Sequence, residues 1–253
     1  MAAYDKASDY LQASKDSTKF LDTLKPQCGD RSLDFGCGTG KVTLKLAERI
    51  GPTGFLVAVD PSEERICEAR KRFQNRGNVQ IIRGYIDDAE EFAPYDIILA
   101  NFVLHWIPEK EQGNTLQTIF KFLKPGGRLG LTTVNKESSG FLHDLSERQY
   151  GNSYDAFLSA AGWTFRSLQN WKPLLERAGF DIVHSVEELR RYPFPNYRAL
   201  IKWWEATSDG PFSATKAEED LVKNESILDN YGWSKNGPVS SNCVHIDIVA
   251  RKA

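Results

Sequence analysis

Little in this chain points to a metal, a membrane or a nucleic acid. Its four cysteines, Cys28, Cys37, Cys67 and Cys243, show no close-paired spacing, which argues against a zinc site and against a disulfide framework. No apolar run approaches the ~18 residues that suggest a membrane span. The first residues, "MAAYDKASDYLQ", hold no apolar stretch of the secretory kind. The formal net charge is -2, so no basic field awaits a phosphate backbone, and the densest basic stretch, "EARKRFQNR", reads as the exposed side of a helix. Internal repeats and low-complexity tracts are missing too. These absences predict a soluble, reduced, cytoplasmic protein with no metal, no nucleic-acid partner and no membrane partner.

Two nucleotide loops are also missing. A dinucleotide fingerprint needs its third glycine three places after the second, and Lys41 stands there. A phosphate loop of the G-x-x-x-x-G-K-[ST] type cannot be fitted to Gly36 and Lys41, and Val42 holds the hydroxyl's position.

What is present is alternation. With 41% hydrophobic and 26% charged residues, the 253-residue chain has an ordinary globular composition and enough length for a core. From residue 30 to about 132, short apolar runs alternate with amphipathic segments. "RSLDFG", "GFLVAVD", "NVQIIRG", "YDIILANFVL" and "RLGLTTV" read as strands. "KVTLKLAERIG", ending at Gly51, "SEERICEARKRF", capped by Ser62, and "KEQGNTLQTIFKFL" read as helices. Such alternation builds a parallel sheet covered on both faces. "LDFGCGTGK" then occupies the turn from the first strand to the first helix, where a doubly wound sheet binds its ligand. Glycines there admit close approach, and the helix N-terminus offers unpaired N–H groups. Asp34 before the loop suits a ligand that carries a cation. Asp60, at the end of the second strand, can accept hydrogen bonds from both hydroxyls of a ribose.

"LDFGCGTGK", "VAVDPS", "YDIILANFVLHWI" and "LKPGGRLGL", in this order and spacing, resemble the class I S-adenosylmethionine-dependent methyltransferases. The resemblance covers roughly residues 30 to 132. It implies an α/β fold: a doubly wound, seven-stranded, mostly parallel, Rossmann-like sheet, its last strand "VHIDIVARKA" antiparallel, with helical insertions forming a substrate lid. The cofactor implied is S-adenosyl-L-methionine. Asp34, Gly36, Cys37, Gly38 and Gly40 would hold its methionyl part, Asp60 and Pro61 the ribose, and Asn101 and Phe102 would run along it. The adenine contact stays open: Tyr85 takes the usual acid's place if Gly84 is matched, Asp87 or Asp88 if "DA" is matched, and Ile86 with Asp87 is the preferred reading. The chain reads as a single methyltransferase domain, 1–253. It divides into a leading helix, 1–29, a cofactor-binding half, 30–135, a substrate-side half with insertions, 136–241, and a last strand, 242–253.

A second resemblance concerns the methyl acceptor. The leading helix with Tyr10, Leu11, Gln12, Phe20 and Leu21, the "LHW" stretch and a tryptophan-rich insertion resemble small-molecule carboxyl methyltransferases of the juvenile hormone acid and trans-aconitate types. It implies Gln12, His105 and Trp106 at the reacting centre. A carboxylate, with a reference pKa near ~4.3, is ionised at neutral pH and needs no general base; an alcohol or phenol needs one. The sequence shows no base oriented by a carboxylate, which favours a carboxylate or neutral amine acceptor. One of the adjacent Trp203 and Trp204 is expected to cover the substrate pocket. His143, Arg166, Arg190, Arg191, Tyr197, Arg198 and Lys202 are possible anchors that no spacing selects among. The expectation is O-methylation of a small carboxylate. N- or O-methylation of another metabolite and a non-catalytic cofactor-binding subunit are the alternatives; the glycine spacing disfavours a nicotinamide oxidoreductase.

Overall fold

The computed structural model describes residues 15–135, 140–150, 155–156, 158, 162–208, 212–224 and 226–253. The leading helix α1 spans Lys15–Leu24, and each apolar run after it becomes a strand. These are β1 (Arg31–Phe35), β2 (Phe55–Asp60), β3 (Val79–Arg83), β4 (Tyr95–Asn101) and β5 (Leu123–Val134). The amphipathic segments between them form α2 (Lys41–Ile50), α3 (Glu63–Phe73) and α4 (Glu109–Phe122), with a 3-10 turn at Ile86–Phe92. Local signals set the ends. Ser62 caps α3 by accepting from the Arg65 amide, and Gly51 stops α2 at a φ of 68°.

After β5 come α5 (Gly140–Tyr150), α6 (Leu168–Arg177), β6 (Phe180–Phe194), α7 (Tyr197–Ser208), α8 (Ala214–Lys223), α9 (Ser226–Asp229) and β7 (Val239–Lys252). The strands make one seven-stranded sheet in the order β3-β2-β1-β4-β5-β7-β6. Pairings from β3 to β5 are parallel, since a helix carries each crossover; β7 runs antiparallel to both β5 and β6. The chain reverses direction in sheet order at β1 and β4, so the ends of those two strands open a crevice.

Both faces of the sheet are covered. On one, Phe20, Leu21 and Leu24 of α1 join Leu46 and Ile50 of α2 over Leu56, Ile97 and Leu99. Gly130 of β5 makes room for α1: a Cβ there would lie 2.8 Å from a Leu24 methyl. On the other face, Leu116, Ile119 and Phe122 of α4 meet Trp171 and Leu175 of α6 over Leu33, Ile98 and Leu131. The inserted helices α5, α7, α8 and α9 bury a further core with Phe141, Leu200, Ile201, Trp203 and Leu221, which also takes in Phe102.

Two departures from the sequence pattern shape the crevice. The fourth strand stops at Asn101 although apolar residues continue, because Phe102 takes a left-handed φ of 56° and the chain folds into a 3-10 turn, Leu104–Trp106. β6 and β7 stay paired from Leu189–Val244 out to Phe194–Val239, beyond the pairing of Val134 with His245 that ends β5. That projecting ribbon carries Ser241 and Cys243 to the crevice. Among the described residues, no helix is long and apolar enough to cross a membrane.

Candidate functional site

The loop after β1 is held against β2 by backbone bonds: the amides of Gly36 and Cys37 both donate to the Val59 carbonyl, each at 2.9 Å. Space and torsion both require glycine here. A Cβ on Gly36 would lie 2.1 Å from a Val103 methyl, and Gly38 has a φ of 56°, which a side chain disfavours. Gly40 serves another end: a Cβ there would press on the Phe73 ring at 2.9 Å, so this glycine seats α3 against the start of α2.

Two buried carboxylates meet at this loop. Asp60 is 3% exposed; one oxygen accepts from the Gly38 amide and the other from the Ser62 amide, each at 2.9 Å. Asp34 is 1% exposed and accepts from the Thr43 hydroxyl at 2.6 Å. Burial pushes its carboxyl up to about 7, against the Thr43 hydrogen bond and helped by the Asp60 charge. The same burial and the same two acids raise the neighbouring Cys37 thiol well above its ordinary value.

A cavity of about 310 Å³ runs from this loop to the inserted helices. Asp34, Gly36, Cys37, Gly38, Asp60, Pro61, Asn101, Phe102, His105 and Trp106 all line it. Gly40, Ile86 and Asp87 are not in its wall, and Tyr85, 68% exposed, lines it where the adenine contact was sought. Gln12 lies outside the described residues, as do Tyr10 and Leu11.

The far end is aromatic. His105 stacks on Phe165 at 5.1 Å, Trp106 meets Trp163 edge-on at 4.9 Å, and Trp163 meets Trp204 edge-on at 5.3 Å. Both adjacent tryptophans of α7 line the cavity, correcting the expectation of one: residues roughly 100° apart on a helix can flank one wide opening. Trp163 and Phe165 were missed in the sequence because they lie in an irregular stretch before α6, where no period marks a buried face. His105 is 7% exposed, its Nδ1 is 3.1 Å from the Thr133 hydroxyl, and burial pushes its pKa down to about 3. The imidazole is therefore neutral throughout the physiological range.

The basic residues proposed as anchors point elsewhere. Arg166 donates to Gln112 and Glu109, Arg190 to Asp247 and Glu188, and Arg198 to Glu218. Arg191 and Lys202 are exposed, and Tyr197 is buried at the start of α7. Of that group, His143 alone reaches the cavity wall.

A family model described as a methyltransferase domain matches residues 4–185. The chain belongs to the methyltransferase-domain family. Among curated relatives of this methyltransferase, the demethylmenaquinone methyltransferase of Lactobacillus johnsonii is 28% identical over 186 residues, 65% of this chain and 73% of its own length. The malonyl-[acyl-carrier protein] O-methyltransferase of Halalkalibacterium halodurans is 29% identical over 224 residues, 85% of this chain and 80% of its own. The same fold occurs in the solved 1,6-didemethyltoxoflavin-N1-methyltransferase of Burkholderia thailandensis, with bound 1,6-didemethyltoxoflavin and S-adenosylhomocysteine. It superposes with a TM-score of 0.58 at 17% identity, covering 100% of this chain and 84% of that one.

The donor set of the methyltransferase's cavity fits S-adenosyl-L-methionine. Asp34 is a buried carboxylate whose ionised form lacks full compensation, which calls for a cation. Asp60 is already oriented by two amides, and a carboxylate has acceptor capacity beyond two bonds.

Proposed function

We propose that this methyltransferase uses S-adenosyl-L-methionine to methylate a small-molecule carboxylate, giving a methyl ester. One observation carries the carboxylate: His105 and Cys243, two titratable side chains of the cavity wall, are both held away from removing a proton near neutral pH. Burial holds His105 near 3, and burial raises the Cys243 thiol to about 11 against its hydrogen bond with Ser241. An acceptor that is ionised by itself requires neither.

The cofactor, when bound, supplies an electrophilic methyl group on a sulfonium. In this reading the chain's own residues bind, orient and exclude water. Asp34, Gly36, Cys37 and Gly38 receive the methionyl part, Asp60 and Pro61 the ribose, and Asn101 and Phe102 flank the cofactor. Ile86 and Asp87 remain the proposed adenine contacts with Tyr85 beside them, and Gly40 supports the loop from behind. Residues 30–135 provide this half and 136–241 the acceptor half, within one functional unit of 1–253. The rings of Trp106, Trp163, Phe165 and Trp204 suit a displacement that discharges a cation in a dry pocket, since a sulfonium is attracted to ring faces. Neutral His105 serves as a hydrogen-bonding wall. Gln12 is carried only by the likeness to carboxyl methyltransferases of the juvenile hormone acid and trans-aconitate types. No arginine lines the cavity's acceptor end among the described residues, which within that group favours an acid with an apolar body over a tricarboxylate.

The aromatic wall also supports a second reading, transfer to an atom of a planar ring, and one relative is named a demethylmenaquinone methyltransferase. Labelled methyl transfer to a panel of acids, amines and phenols separates the two. Label that alkali releases, appearing with the acids, supports the ester; alkali-stable label confined to phenols or amines overturns it.

A further inference from the structure

Gln112, in the first turns of α4, belongs to no part of the site described so far. Yet it is fully buried, and its side-chain amide joins two separate stretches of backbone through three carbonyls. Its two N–H groups face three carbonyls, those of Leu104 at 3.0 Å, Ile107 at 3.1 Å and Thr164 at 3.4 Å, so that one hydrogen is shared between two of them. Leu104 and Ile107 bracket His105 and Trp106; Thr164 sits between Trp163 and Phe165. The amide's orientation is chemically determined. Arg166 Nε donates to its oxygen at 2.6 Å, and a guanidinium has no acceptor, so the NH₂ group must face the carbonyls. Arg166 is itself held by Glu109 and lies 5.9 Å over the Trp171 ring.

One further bond crosses the same seam: the Thr164 amide donates to the His105 carbonyl at 2.9 Å. The stacking of His105 on Phe165 and the edge contact of Trp106 with Trp163 thus rest on two tethers, of which Gln112 is the larger. A 3-10 turn and an irregular stretch have few internal bonds of their own, so a buried side chain must supply what a helix or a ladder would otherwise provide.

We propose that Gln112 is a positioning residue for methyl transfer: it clamps the His105–Trp106 turn to the Trp163–Phe165 stretch and thereby sets the shape of the acceptor compartment. It touches neither substrate nor cofactor. The proposal rests on the reading of the aromatic end as the acceptor site, and it extends that reading to a residue behind the wall.

Two variants of nearly native volume test it. Gln112→Met removes every polar contact. Gln112→Glu keeps the partnership with Arg166 but turns an acceptor toward three carbonyl oxygens. Three measurements follow: S-adenosylhomocysteine affinity by calorimetry, the near-ultraviolet circular dichroism of the coupled tryptophans, and steady-state kinetics with decanoate and cinnamate as acceptors. Expected are an S-adenosylhomocysteine Kd within about twofold of native, a changed near-ultraviolet spectrum, and kcat lowered about 10- to 100-fold, the scale of a misplacement of about 1 Å. Native spectra in both folded variants overturn the proposal, as does S-adenosylhomocysteine affinity that falls in parallel with turnover. Should neither acid accept a methyl group from the native chain, the carboxylate reading fails on its own, while the spectra and the S-adenosylhomocysteine titration still decide the role of Gln112. If Gln112→Met does not fold, Gln112→Glu carries the test.

Discussion

If the cofactor's cation sits beside Asp34 as proposed, binding should be sensitive to pH in a window where carboxylates are ordinarily silent. Its carboxyl is raised from an ordinary 3.8 to about 7, chiefly by burial, partly offset by the Thr43 hydrogen bond and reinforced by the Asp60 charge. A raised acid binds its proton more tightly in the folded chain than in the unfolded one. Stability of the ligand-free protein should therefore fall as pH climbs from about 4 to about 7, by up to about 4 kcal/mol, three pKa units at about 1.4 kcal/mol each. A bound cation favours the ionised carboxylate, so binding below pH 7 must first expel the proton. Affinity should drop close to tenfold per pH unit below 7, or about 30-fold between pH 8 and pH 5.5. The assay is calorimetric titration with S-adenosylhomocysteine, whose ammonium group stays charged across this range, in buffers of differing ionisation enthalpy. Near pH 6, close to one proton should be released per site; with Asp34→Asn, none should be, and the affinity should be flat with pH. Constant affinity in the native chain from pH 5.5 to 8, with no proton release, would refute the placement of the cofactor's cation beside Asp34.

Three substitutions probe the rest of the site. Asp60→Ala removes the acceptor of the Gly38 and Ser62 amides together with the proposed ribose contact; S-adenosylhomocysteine affinity should weaken by about 1–3 kcal/mol, and unchanged calorimetry would put the ribose elsewhere. Gly38→Val forces a branched side chain onto a φ of 56° at the cavity wall. The melting temperature of that variant should no longer rise with added S-adenosylhomocysteine; a native-sized rise would show that the loop tolerates the side chain. Trp106→Ala opens the edge contact with Trp163 and should lower turnover more than cofactor affinity. Equal losses in both would make Trp106 a packing residue.

Much of the architecture from β1 to β5 was legible because its signals are short-range. Strand, glycine turn and helix follow one another within "LDFGCGTGKVTLKL", and "VAVD" ends its strand on the acid. Ser62 and Gly51 mark helix ends by chemistry that involves only neighbours in the chain. The adenine side was harder to read, since the "GYIDDAEE" stretch allows two alignments and the structure brings Tyr85 to the cavity. The abrupt end of β4 also escaped the pattern. Hydrophobicity continues through Phe102 and Val103, and the left-handed Phe102 is held by its amide, which donates to the Thr132 carbonyl of β5, rather than by its own preference.

By itself, then, the sequence determined the alternating architecture, the loop and the two acids, because periodicity, backbone torsion and strand ends are properties of adjacent residues. Tertiary structure alone decided the protonation of Asp34 and the neutrality of His105, since both depend on how completely distant segments exclude water. It also decided the aromatic wall of the cavity. Trp163 and Phe165 reach His105 and Trp106 across a long stretch of chain, and Gln112 joins them from a helix whose sequence pattern gives no hint of it. Such contacts arise from the packing of whole elements, which a residue's near neighbours do not specify.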